Sequence, residues 1–213
     1  MMHFFDIKNI AFTALGLPVS YLELVTFLFG LLSTYLASRN NILNWPTGII
    51  NAVLYFIVCI QIRLYIELFM QVYILIVSGY GWRNWKTTRG ENIITTISIR
   101  NRIILAASII IGTIAFGFFA ENLYLLLPSI FVGPAPDAFI NSFIMMVSIA
   151  AFLLLAKRKL ECWILWITGS VVGAALTFKN HYYFLSIEYI IFLGLALYAL
   201  YYWNRQMKNE QDQ

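Results

Sequence analysis

Leu36–Trp45 reads LASRNNILNW, and Leu154–Trp163 reads LLAKRKLECW. The two stretches lie 118 positions apart, and each carries an apolar run through a short polar, basic turn to a tryptophan. Leu36 meets Leu154, Arg39 meets Lys157, Asn40 meets Arg158 and Trp45 meets Trp163. Moving outward in the same ungapped register, Pro18 meets Pro136, Tyr65 meets Tyr183, Tyr80 meets Tyr198 and Trp85 meets Trp203. Two Trp–Trp matches and a Pro–Pro match in one register are hard to obtain by chance, so the sequence reads as an internal repeat.

Composition says what the repeated halves are made of. Of 213 residues, 61% are hydrophobic and 11% charged, whereas a soluble domain has about 45–50% apolar and about 25% charged residues. That excludes an ordinary cytosolic enzyme, a disordered chain and a nucleic-acid module. Seven apolar stretches, about 19–38, 43–61, 64–85, 101–127, 138–156, 161–178 and 182–204, each come near the ~20 residues that cross a bilayer. The fold class expected is therefore all-α: a membrane protein of seven transmembrane helices. The repeat lays spans 1–3 over spans 5–7 and leaves span 4 as a linker. A single span between two triplets gives both the same orientation, which is a 3+1+3 parallel repeat. Transporters use such repeats to hold a substrate between the halves near the midplane.

The chain then divides as follows. Residues 1–18 lack the basic and long apolar regions of a secretory signal and read as an N-terminal interfacial segment ending at Pro18. Residues 19–85 form a first three-helix bundle, 86–127 a polar connection and linker helix, 128–204 a second three-helix bundle, and 205–213 a polar tail. Orientation follows from the basic residues. One side carries Lys8, Arg63 and Lys179. The other carries Arg39, Arg83, Lys86, Arg89, Arg100, Arg102, Lys157, Arg158, Lys159, Arg205 and Lys208. The positive-inside rule puts this second side, and with it the C-terminus, in the cytoplasm.

Polar groups inside the spans are costly and mark function by default. Asn44, Gly48, Asn51 and Tyr55 share one helical face, as do Glu67, Gln71, Ser78 and Trp82. Cys162, Trp166 and Ser170 run at i, i+4, i+8 with Trp163 beside them. Glu23 and Asn141 stand in the first and fifth spans, and Glu188 and Tyr189 in the seventh. Gly48, Gly169 and Gly173 read as small residues for close helix packing. Glu67 follows Arg63 by four residues and suits an ion pair near a span end. Trp82, Trp85 and Trp203 sit at span ends beside basic residues and read as interfacial anchors. Trp166 lies about a turn deeper than Trp163 and is the better ligand candidate. There is no phosphate loop, no nucleophile–base set and no metal-ligand spacing around Cys59 or Cys162. An enzyme, a metal site and a cofactor are all unexpected.

Two blocks of sequence resemble the PnuC family of bacterial vitamin transporters. The first is NWPTGIINAVLYF (44–56), LYIELFMQVY (64–73) and GYGWRNW (79–85). The second is Pro136–Phe139, LAKRKLECWILW (155–166) and SIEYII (186–191). The likeness runs from about residue 19 to 205. It implies a three-plus-one-plus-three helical fold and a homotrimer in the bacterial inner membrane. It further implies facilitated diffusion of nicotinamide riboside, made one-way by a cytoplasmic kinase that phosphorylates the vitamin. By position Trp163 and Trp166 match the family's substrate-facing tryptophans, and Gln71 its glutamine. Three residues depart from the pattern: Phe152 for glutamine, Cys162 for asparagine, and Ser170 for asparagine or aspartate. Each removes hydrogen-bonding capacity, so another vitamin such as thiamine, or ion-coupled symport, stays open as an alternative.

The cargo implied is a flat pyridinium cation on a neutral sugar. An aromatic box suits such a cation because ring faces attract positive charge. Trp45, Tyr55, Trp163, Trp166 and Tyr189 are the candidates for the box. Asn51, Gln71, Asn141 and Ser170 are the candidates for the sugar hydroxyls and carboxamide, with Glu188 nearby in the last span. The partners expected are thus the vitamin and the lipid bilayer, with no nucleic acid.

Overall fold

A computed structural model describes residues 6–14, 17–62, 65–87, 94–128 and 133–211. Among the described residues there are seven helices: α1 (Tyr21–Ser38), α2 (Asn44–Gln61), α3 (Tyr65–Thr87), α4 (Ile99–Leu126), α5 (Ala138–Ala156), α6 (Glu161–Lys179) and α7 (Tyr183–Gln211). Among the described residues, all but α3 are long and apolar enough to cross a membrane by composition alone. α3 falls short because it carries Glu67, Gln71 and Ser78 along its length and Arg83 and Lys86 at its end.

Within the stretch expected as a featureless interfacial segment, the chain forms an antiparallel hairpin of β1 (Ile10–Ala14) and β2 (Leu17–Ser20), with Phe12 opposite Val19. Ile10, Phe12, Thr13 and Val19 are β-formers, and Pro18 is tolerated because a two-stranded ribbon consists of edges. The hairpin runs straight into α1. Ser20 Oγ accepts the Glu23 N–H at 3.2 Å, and Glu23 Oε2 accepts the Ser20 N–H at 2.8 Å, a reciprocal capping box. Glu23 is thereby explained as a helix cap.

The packed neighbours run α1–α2–α3–α5–α6–α7 and back to α1, while α4 lies outside this ring against α5. Packed helices sit about 8–10 Å apart, so opposite members of a ring of six stand roughly 16–20 Å apart around an axial space that side chains or a cargo must fill. The pairs that close the ring, α1·α7 and α3·α5, correspond under the 118-residue offset.

The same offset relates the helix ends. After α1, Asn40 takes a left-handed conformation (φ 52°), its N–H bonds Ala37 O, and the Asn41 N–H bonds Leu36 O. After α5, Arg158 does the same (φ 50°), with Arg158 N–H to Leu155 O and Lys159 N–H to Leu154 O. Both are Schellman caps, which satisfy the orphan carbonyls of a last turn. At the opposite end of the molecule Asp137 precedes α5. It accepts the Asn180 amide at 2.9 Å and Lys179 Nζ at 3.2 Å, pinning the start of α5 to the end of α6. These two donors, Asn180 first, hold the Asp137 carboxyl below its ordinary range. A depressed carboxylate adds stability above its unfolded pKa and loses it as pH falls through the folded one. Asp137→Asn should therefore melt below the parent at pH 7, and the difference should begin to shrink as pH falls below about 4 and vanish only below the depressed folded pKa, as read by thermal unfolding across pH in detergent.

Candidate functional site

The end of the ring where α1, α3, α5 and α7 finish is closed by tryptophans. Trp45 and Trp85 meet edge to face (centroids 5.3 Å, 89°), and so do their counterparts Trp163 and Trp203 (5.5 Å, 83°). Trp85 and Trp203 join the two pairs across the axis at 6.3 Å. The sequence reading of Trp85 and Trp203 as interfacial anchors is corrected here: they are 1% and 0% exposed. Their indole N–H groups reach the end carbonyls of helices in the other half, Trp85 to Leu155 O (3.3 Å) and Trp203 to Ala37 O (3.2 Å). A span-end tryptophan in a ring can face inward as well as toward the interface. Trp82, at 42% exposed, keeps the anchor position.

Trp45 and Trp163 are fully buried in this plug, and neither indole N–H has a hydrogen-bond partner among the described residues. Gly81 makes room for Trp45, because any Cβ there would run into the indole. The plug also holds a cation. Arg158 lies with its guanidinium 4.4 Å from the Trp85 ring centre and donates from Nε to Asn40 Oδ1 at 3.1 Å. Asn40 and Arg158 are equivalent positions of the two halves, bonded to each other on the axis.

Away from the plug, the remaining candidates line up along the ring. Trp166 is half-buried and set edge-on to Phe152 (5.0 Å, 86°). Gln71 on α3, 5% exposed, and the buried Ser170 on α6 have no hydrogen-bond partner among the described residues. Tyr55 on α2 lies close enough to Tyr189 and Glu188 on α7, and to Glu67 on α3, to interact electrostatically with each. α2 and α7 are not ring neighbours, so Tyr55 and the α7 pair lie within electrostatic range of each other across the axial space. Glu188 in turn lies near Glu23 on α1. Tyr189 is held against α6 by Gly173, where a Cβ would strike its ring.

Two candidates are occupied locally. Asn51 donates from Nδ2 to Thr26 O at 2.7 Å, bracing α2 against α1. Asn141 is exposed and donates to Pro136 O at 3.2 Å in the first turn of α5. Arg63, the expected partner of Glu67, lies outside the described residues. Sequence reasoning missed the role of Asn40 and Arg158. Their signal was the offset itself, which aligns two polar turn residues between apolar runs.

A family model described as nicotinamide mononucleotide transporter matches residues 20–205. The nicotinamide riboside transporter PnuC of Escherichia coli is 30% identical over 229 residues, covering 95% of this chain and 94% of that one. The riboflavin/roseoflavin transporter RibM of Streptomyces davaonensis is 25% identical, with 91% and 89% covered. A crystal structure of the vitamin B3 transporter PnuC superimposes with a TM-score of 0.65 at 21% identity, covering 89% of this chain and 83% of that one. That last likeness is one of fold.

Proposed function

From the premise that this chain belongs to the nicotinamide mononucleotide transporter family, and is thus a multi-pass membrane transporter and not an enzyme, we propose that it carries nicotinamide riboside by facilitated diffusion. One observation carries the choice of cargo. The groups within electrostatic range of one another across the axis are aromatic and acidic: Tyr55 with Tyr189 and Glu188, and Tyr189 with Glu67. Together with Trp166 they suit a flat cation. The only cation on the axis, Arg158 among the described residues, is spent in the plug on Trp85 and Asn40. A phosphate-bearing mononucleotide would call for Arg or Lys at the site, so the riboside fits better.

In this reading Trp166 and Phe152 hold the pyridinium ring, and Tyr55 and Tyr189 bound it from the other side. Gln71 and Ser170, having no protein partner, bond the sugar and carboxamide. Glu188 balances the charge. Asn51 positions α2, Asn141 steadies α5, and Trp45 and Trp163 wall off the basic end. The two triplets act as a 3+1+3 parallel repeat, which the recurrence of caps and indole bonds at the 118 offset supports. The basic end and the C-terminus face the cytoplasm of a bacterial inner membrane, where a kinase traps the vitamin. A homotrimer is the assembly that the resemblance implies, with the outward apolar side of α4 free to meet a neighbour.

Purified protein in liposomes should bring labelled nicotinamide riboside to equal concentration on both sides with no imposed gradient, while a reporter fused after Gln213 should be active only if it works in the cytoplasm. Sodium- or proton-driven accumulation above the outside concentration would replace uniport with symport.

A further inference from the structure

The basic end of the ring is shut across two of its three diameters. Trp85 and Trp203 belong to α3 and α7, which stand opposite each other, and their rings meet. Asn40 and Arg158 follow α1 and α5, also opposite, and are hydrogen-bonded. Both contacts span the axis at this end, and a cargo held further along the axis cannot leave by this end while they stand.

Three further features mark this closure as one of two states and not a permanent core. First, the indole N–H groups of Trp45 and Trp163 are buried without partners among the described residues. An unpaired buried donor is unfavourable, and opening would return both donors to water. Second, Arg158 and Asn40 both sit in left-handed turns, a conformation that costs little in Asn but more in Arg. The usual solution, glycine, would remove the side chain from the axis. Third, the two turns are braced differently: the α1–α2 turn is held to α7 by a side chain, Arg39 donating to the Tyr198 hydroxyl at 2.7 Å and stacking 4.4 Å from the Tyr202 ring centre, whereas the α5–α6 turn is held through its backbone. Thr95 bonds the α5–α6 turn through Thr95 N–H to Arg158 O (3.1 Å), Leu160 N–H to Thr95 O (2.9 Å) and Lys159 Nζ to Thr95 Oγ1 (2.7 Å). Residues 94–98 thus clamp Arg158, with Ile94 buried in the tryptophan cluster.

We infer that the Asn40–Arg158 bond and the Trp85–Trp203 contact form the gate through which cargo leaves at the basic end, with the backbone-braced α5–α6 turn as the fixed jamb and the α1–α2 turn as the moving leaf. This rests on the transporter reading for the identity of the cargo, but its test does not. Cys162 is buried within the tryptophan cluster, so its reaction with a membrane-impermeant maleimide reports opening. In a Cys59→Ser background, Asn40→Gly keeps the left-handed turn and removes the acceptor, while Arg158→Lys keeps the charge and removes the donor fork. Each should raise the labelling rate of Cys162 at least about tenfold from the basic side of oriented vesicles and leave it unchanged from the other. The affinity for nicotinamide riboside should stay within about twofold. Labelling at the parent rate in either well-folded variant overturns the gate. Should both variants fail to fold, the Cys59→Ser parent still decides: its Cys162 should label faster from the basic side during riboside exchange than without cargo, and equal rates would equally overturn it. If riboside never equilibrates through the wild-type protein, the transporter reading has failed, and the labelling of the two variants still judges the gate.

Discussion

Replacing Trp166 by alanine should weaken nicotinamide riboside binding about 10- to 100-fold while the protein stays folded. A cation stacked on an indole in a desolvated site gains about 2 kcal/mol, and each 1.4 kcal/mol or so is tenfold in affinity. Trp166 is half-buried and abuts Phe152 by its edge, an arrangement worth about 0.5–1.5 kcal/mol to packing, so the fold should tolerate the change. Trp166→Phe, which keeps a ring face, should lose only several-fold. Trp82→Ala, on the exposed anchor position, should leave affinity alone. Titration calorimetry on the three variants separates stacking from packing. If Trp166→Ala and Trp82→Ala bind equally well, the ring is held elsewhere, and the Tyr55–Tyr189 pair becomes the box.

The second large effect concerns stability. The side chain of Glu161 is 10% exposed, and its Oε1 accepts from Arg102 Nη2 (2.8 Å), Arg102 Nε (3.2 Å) and the Ile97 N–H (3.0 Å). This carboxylate ties the start of α4 and the clamp before it to the α5–α6 turn. Hydrogen bonds to charged groups contribute about 1.5–3 kcal/mol each. Arg102 is half-exposed and can rehydrate, which discounts its share. Glu161→Ala should therefore cost about 2 kcal/mol, or roughly 4–8 °C in melting temperature for a chain of this size. Arg102→Ala should cost at least as much, because it leaves the buried Glu161 carboxylate, whose Oε2 already has no partner among the described residues, without its countercharge. A melting curve for Glu161→Ala that overlays the parent's would remove the anchoring role.

The matching of helix ends at the 118-residue offset was legible because tryptophan and proline are rare enough for coincident spacing to carry weight, and because both turns change from apolar to polar at the same step. The candidates Trp166, Gln71, Tyr55 and Tyr189 were legible as polar or aromatic groups within spans that otherwise avoid polarity. What stayed hidden depended on direction around a helix axis. Trp82 and Trp85 stand three residues apart at one span end, yet one faces outward and the other caps Leu155 on the neighbouring helix α5. Composition and basic neighbours are the same for both, so only the ring distinguishes them. The clamp at residues 94–98 was read as a polar connection because Thr95, Thr96 and Ser98 dominate it, although Ile94 is buried. The hairpin was missed for a similar reason: two four- or five-residue strands leave too short an alternation to stand out in so apolar a chain.

The contact between α1 and α7 carries a consequence for how the protein is made. The first and last helices in chain order are neighbours, and the Trp203 indole bonds the carbonyl of Ala37. Ribosomes deliver helices from the N-terminal end. Six of the seven can be inserted and the circle must still stand open, with the flanks of α1 and α6 turned toward lipid. Only when α7 emerges does the wall acquire its missing stave, and that same helix brings Trp203 to complete the plug. The arrival of α7 is thus one committed step, in which the compartment and its door come into being together.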